Sequence, residues 1–173
     1  MKCNLEILEQ NNINYSFGTL LVGIQYGVIN NVDVANYAVK YLIMHPDETN
    51  PMITELACVN HMVSNIESVL IEVLKLKSCV IVPGTKDWIF EERKVRFCLL
   101  FELKQNIINK SELLERITEV YADFNYPFDM EDFIYYMPAK DYDPAQHTFE
   151  ENQDRLLDLF DSFLQKEKGE LSI

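Results

Sequence analysis

The chain has 173 residues, of which 48% are apolar and 12% aromatic, and its 28 acids against 15 bases give a formal net charge of −13. That content excludes a disordered chain, and the length suits one ordinary domain able to bury about 70% of its surface without disulfides or metals. Only 5 glycines and 6 prolines argue against Gly-rich phosphate loops and turn-dense all-β folds, while the negative charge disfavours a nucleic-acid binder that works by neutralising phosphates.

Leu20, Leu21, Ile24 and Val28 recur at three-four spacing and predict a helix, with Ser16 as its N-cap and Gly27 as its stop. Val34, Ala35, Ala38, Tyr41 and Leu42 predict a second helix capped by Asn31 or Asp33. The short link between the two makes them a hairpin or corner. His45 and Pro46 end this unit, and they are the seam if residues 1–45 form a helical subdomain within a single domain spanning 1–173. Asn50 and Pro51 start a short helix reaching about Val59. Ile66, Val69, Leu70, Val73 and Leu74 mark a longer one. Residues 79–82 are the one strand-like run; without a partner they read as an extended connector closed by Pro83 and Gly84.

Residues 85–108 carry apolar groups on more than one face, the pattern of a central helix contacted from several sides. Ser111 then caps a helix bearing Leu113, Leu114, Ile117, Val120 and Tyr121. A short helix is expected over 130–136, with Asp129 as its cap and with Glu131 and Asp132 favouring its N-terminal dipole. Thr148 and Glu151 form a capping box for the last helix, whose stripe is Leu156, Leu157, Phe160, Phe163 and Leu164 and whose stop is Gly169. Gly18 and Gly23 fall inside a predicted helix and suit close packing of a neighbour. The sum is an all-α fold of seven or eight helices in one compact domain around residues 85–108.

The four cysteines, Cys3, Cys58, Cys79 and Cys98, are scattered without a Cys-x-x-Cys pair and read as reduced thiols. No secretory signal opens the chain and no apolar run is long enough to span a membrane, so a cytoplasmic location without membrane attachment is expected. Zinc-peptidase, nucleophile-elbow and phosphate-loop patterns are all absent. The acidic run from Asp123 to Asp132 lacks the sixth-position glycine and twelfth-position glutamate of a calcium loop. Asp141, Asp143 and His147 are close enough in sequence to suggest a metal site, but a turn before a capped helix explains them more simply. No metal and no cofactor is called for.

Charge is unevenly placed. Residues 76–110 hold 4 acids and 7 bases, a net of +3, whereas residues 111–173 hold 16 acids and 5 bases, a net of −11. Tyrosines and phenylalanines interleave with acids from Tyr121 to Tyr142. Rings left exposed there supply contact area while acids steer encounter, which suits a basic protein partner.

Tyr121, Asp123, Phe124, Tyr126 and Pro127, then Phe133 to Pro138, then Tyr142, Asp143 and Pro144 with His147, Glu150, Glu151, Asn152, Arg155 and Leu156, form a distinctive series. With Gly23 to Gly27, Asp33 to Val39, Asn50, Pro51 and Glu55 to Ala57, the series resembles a small acidic bacterial family of about this length and of unknown function. The resemblance implies an immunity-like protein of the kind found beside polymorphic toxins. It brings no catalytic residues with it. The expectation is a non-enzymatic protein that covers a basic toxin domain with Asp123, Asp129, Glu131, Asp132, Tyr135, Asp141, Tyr142 and Asp143. The alternatives are a metal-dependent hydrolase using Asp141, Asp143 and His147, and a helical scaffold or adaptor with an apolar groove.

Overall fold

The computed structural model describes residues 1–58, 65–140 and 142–172. Among them run eight α-helices: α1 (Glu6–Gln10), α2 (Phe17–Gln25), α3 (Asn31–Met44), α4 (Pro51–Ala57), α5 (Ile66–Leu76), α6 (Lys86–Asn106), α7 (Lys110–Asp123) and α8 (Phe149–Leu171). Two 3-10 turns, Phe128–Phe133 and Pro144–Gln146, lie between α7 and α8, and no strand is present among the described residues. Residues 79–82 have no regular structure, as a lone extended connector should not. No helix among the described residues is long and apolar enough to cross a membrane.

Helix starts follow side-chain chemistry. Ser16 Oγ accepts from the Gly18 amide at 3.1 Å and Thr19 Oγ1 accepts from the Ser16 amide at 3.0 Å, closing the start of α2. Asn50 Oδ1 accepts from the Met52 amide at 3.0 Å behind Pro51. Thr148 and Glu151 make the expected box at α8. The cap of α3 is Asn30, one residue before the expected pair, and Asp33 closes its box by accepting from the Asn30 amide at 3.0 Å. α7 is capped by Asn109 and not by Ser111, whose hydroxyl instead accepts from Gln153 Nε2 of α8 at 2.6 Å.

Three expectations about ends and turns fail for identifiable reasons. Gly169 does not stop α8, because buried Leu171 holds the last turn against the core. The helix expected over 130–136 is a 3-10 turn that begins two residues earlier, behind Pro127. Asp129 does not cap it, since its carboxylate pairs with Arg96 of α6. The short α1 carries too few residues to show a period. Gly27, with φ at +67°, does end the first predicted helix, its amide bonding Ile24 O at 3.0 Å.

α6 is the centre of the packing and touches α1, α2, α7 and α8. α2 also meets α5, α3 meets α4, and α8 meets the 128–133 turn. The α2–α3 corner is sealed by Phe17, edge-on to Tyr37 at 4.9 Å and 5.2 Å from Tyr41. Trp88, Val95, Phe97, Cys98, Leu99 and Leu100 of α6 are buried, and so are Glu91, Lys94 and Arg96. A buried charge is tolerated only when paired. Lys94 Nζ lies 3.1 Å from both Glu91 carboxylate oxygens, and the Thr19 hydroxyl donates to the same carboxylate. Arg93 grips Glu167 of α8 with two hydrogen bonds, at 3.0 and 2.7 Å, and also pairs with Glu170. The basic excess of residues 76–110 is thus spent largely on internal partners.

Gly23 is needed for close approach, although the neighbour is the Ile29 side chain in the following loop and not another helix. A Cβ at Gly23 would stand 2.2 Å from Ile29 Cδ1, and Ile29 is itself buried. Gly23→Ala gains about 1 kcal/mol of helix propensity but overpacks a full site. A net loss of about 1–2 kcal/mol is expected in urea unfolding, whereas a stabilised variant would mean that Ile29 repacks freely.

Candidate protein-binding surface

The segment joining α7 to α8 crosses the outside of the helical body, and a few buried anchors pin it there. Met130, Phe133 and Ile134 are buried, with Phe133 packed 5.5 Å from Phe160 and 5.0 Å from Phe163 of α8. Arg96, itself buried, reaches Asp129 from below. The chain reverses after α7 through left-handed Asn125 and Tyr126, at φ +60° and +58°. The Tyr126 amide returns to Tyr121 O at 2.9 Å.

This reversal leaves large rings outside. Tyr126, Phe128, Tyr135 and Tyr136 are 61%, 77%, 57% and 51% exposed. The three tyrosines gather about one buried ring. Buried Tyr121 is 5.3 Å from Tyr126 and 6.5 Å from Tyr136, and Tyr136 is 5.4 Å from Tyr135. Burial and the neighbouring Glu131 carboxylate push the Tyr121 phenol above its ordinary pKa. On the same connector, Lys140 Nζ lies 2.8 Å from Asp132 and 5.6 Å from the Phe128 ring.

The expected site residues divide by how they are used. Asp123 is exposed at the end of α7, Glu131 is half-buried beside Tyr121, and Tyr135 is exposed. Asp129 and Asp132 reach the surface but carry Arg96 and Lys140 as counter-charges. Asp143 caps the Pro144–Gln146 turn by accepting from the Ala145 amide at 3.0 Å. Tyr142 is half-buried, and its hydroxyl donates to Asn152 Oδ1 at 2.8 Å. Asp141 lies outside the described residues. The free negative charge on this face is therefore smaller than the bare acid count suggests.

Among the described residues no group of three or more His, Cys, Asp and Glu side chains could hold a metal ion, and Asp141 of the suggested set lies outside them. His147 stacks on Tyr142 at 4.5 Å, and its Nδ1 is 3.9 Å from Glu151.

Tyr126, Phe128 and Tyr136 are not among the expected contacts, since helical periodicity does not separate inward from outward rings in or beside a 3-10 turn. A cleft of about 490 Å³ between α7, α8 and the 135–144 segment was not anticipated either. Tyr135 and Tyr142 are in its wall, with Glu115 and Arg155 as the charged lining.

The molecule is thus an acidic all-helical protein with an exposed aromatic patch on a pinned connector. The chain belongs to the bacterial family described as "Uncharacterized protein conserved in bacteria (DUF2247)", whose family model matches residues 5–168. No curated protein and no solved structure matches it.

Proposed function

We propose that this chain is a non-enzymatic protein-binding protein, an immunity protein that neutralises a basic toxin domain in the bacterial cytoplasm. The observation that carries the reading is the gathering of three exposed rings, Tyr126, Tyr135 and Tyr136, about buried Tyr121. Monomer surfaces expose single apolar side chains routinely, but rings clustered among acids are what an interface centre needs. Tyrosine gives area and a hydroxyl at low entropic cost, and acids at the rim raise the rate of encounter with a basic surface. The net charge of −13 on the whole chain, which already counts the paired bases, supplies that field.

A metal-dependent hydrolase has less support, because Asp143 is engaged as a cap and His147 is stacked on Tyr142. A scaffold reading keeps one observation of its own. Val32, Val39 and Ile43 are exposed at 42%, 44% and 75% along one face of α3, the first two of them about two turns apart.

The test is affinity capture from the producing bacterium at about 50 and about 500 mM salt, values that bracket weak and strong screening. The expected result is a basic protein held one-to-one and lost at high salt, which arrests growth when expressed alone and is tolerated on co-expression. The double variant Tyr135→Ala, Tyr136→Ala is expected to weaken the complex by about 2 kcal/mol or more, roughly thirtyfold. Equal binding by that variant would move the interface elsewhere, and a captured protein without toxicity would sink the immunity role.

A further inference from the structure

The cleft beneath Tyr135 and Tyr142 is of small-molecule size and mainly apolar, with Leu114, Met137, Phe149 and Leu156 in its wall. Phe149 is 74% exposed, a ring on the first turn of α8 with one side left to solvent. One cation stands in this wall. The Arg155 guanidinium lies 4.4 Å from the centre of the Tyr142 ring, and that ring is fixed by the hydroxyl bond to Asn152 and by contact with His147. Stacking of this kind holds the planar fork in place and leaves its edge N–H groups available.

Those N–H groups meet no acceptor among the described residues, and no carboxylate there pairs with Arg155. Several acids of the surrounding segments are used elsewhere. Asp143 caps the 144–146 turn, Glu151 accepts from Thr148, and Asp154 is 2.5 Å from Lys110. An oriented arginine with free donors beside apolar walls fits a carboxylate whose tail is apolar. A cationic side chain in the cleft would face Arg155 with like charge. Glu115, the one acid among the described lining residues, disfavours a second negative charge on the ligand.

We propose that this cleft binds a small amphipathic monocarboxylate of the fatty-acid type, its head group on Arg155 and its chain along Leu114, Phe149 and Leu156. The cleft shares Tyr135 and Tyr142 with the surface expected to meet the toxin, but the inference does not rest on that reading and stands if it fails.

The test titrates the full chain with sodium decanoate, with decanol as the neutral probe and decyltrimethylammonium as the cationic one, all below their micellar concentrations. Calorimetry gives affinity and stoichiometry, and amide NMR shifts give location. Decanoate is expected to bind one-to-one with a Kd below about 1 mM, with shifts at Leu114, Tyr135 and Leu156. It should bind about tenfold tighter than decanol, and the cation should bind weakest. Arg155→Met keeps the apolar stem and is expected to erase the preference for decanoate while leaving decanol unchanged. Arg155→Lys, which keeps the charge but not the fork, should retain part of it. Equal affinity of the wild type for decanoate and decanol overturns the proposal. So does the absence of shifts at the cleft up to about 5 mM, a range that covers even weak binding.

Discussion

Glu91→Ala is expected to cost about 3–5 kcal/mol, because it leaves Lys94 in the centre of the molecule without a counter-charge. The Lys94 side chain is 7% exposed and that of Glu91 12%, so water replaces little of the lost partner. Lys94 also sits 4.5 Å from the Phe90 ring, which softens the loss but does not supply an acceptor. The Thr19 hydroxyl loses its acceptor in the same step. The double variant Glu91→Met, Lys94→Met removes both charges and keeps volume, so most of the stability should return. The check is the midpoint of denaturant unfolding for the wild type, each single variant and the pair. Equal losses in Glu91→Ala and in the double variant would show that packing, and not charge, dominates at this point of α6.

The second large effect is at Phe133. Truncation to alanine should cost about 3–5 kcal/mol, the range for a fully buried ring, since Phe133 is 2% exposed between Phe160 and Phe163. The effect should not stay local. Phe133 is the largest of the anchors that pin the connector carrying Phe128, Tyr135 and Tyr136, beside the smaller Met130 and Ile134 and the Arg96–Asp129 pair. Limited proteolysis under native conditions should therefore cut Phe133→Ala within residues 121–147 long before the helices are attacked. Phe133→Leu, which keeps much of the volume, should resist better. A connector that stays as protected in Phe133→Ala as in the wild type would mean that other anchors hold the patch.

What was legible in the sequence was what depends on near neighbours. Ser16, Asn50 with Pro51, and Thr148 with Glu151 act within a turn of their own positions, so their type and spacing announce the helix starts. The central place of α6 was legible too, because apolar residues on more than one face need cover on more than one side. The misreadings arose where partners are distant. Ser111 is as good a capping residue as Asn109, and only the position of Gln153, 42 residues on, shows how its hydroxyl is used. Asp129 stands where a helix start favours an acid, and its actual partner, Arg96, is 33 residues away in the chain. For the surface, the mixing of rings and acids over 121–142 identified the right stretch of chain as unusual. It did not separate Phe133, which anchors, from Phe128, which is exposed. That choice is made by the reversal at Asn125 and Tyr126 and by the fit against α8.

The grip of Arg93 on Glu167 has a consequence during synthesis. The two residues are 74 apart in the chain, so at about 5–20 residues per second the ribosome makes them roughly 4–15 s apart. Through that interval Arg93 must stay hydrated, and the face of α6 that will receive α8 cannot close around it. Phe160 and Phe163, which complete the core beside it, arrive only shortly before Glu167. The nascent chain therefore holds its middle open until its last helix is made, and the final packing step joins charge and apolar surface in one event.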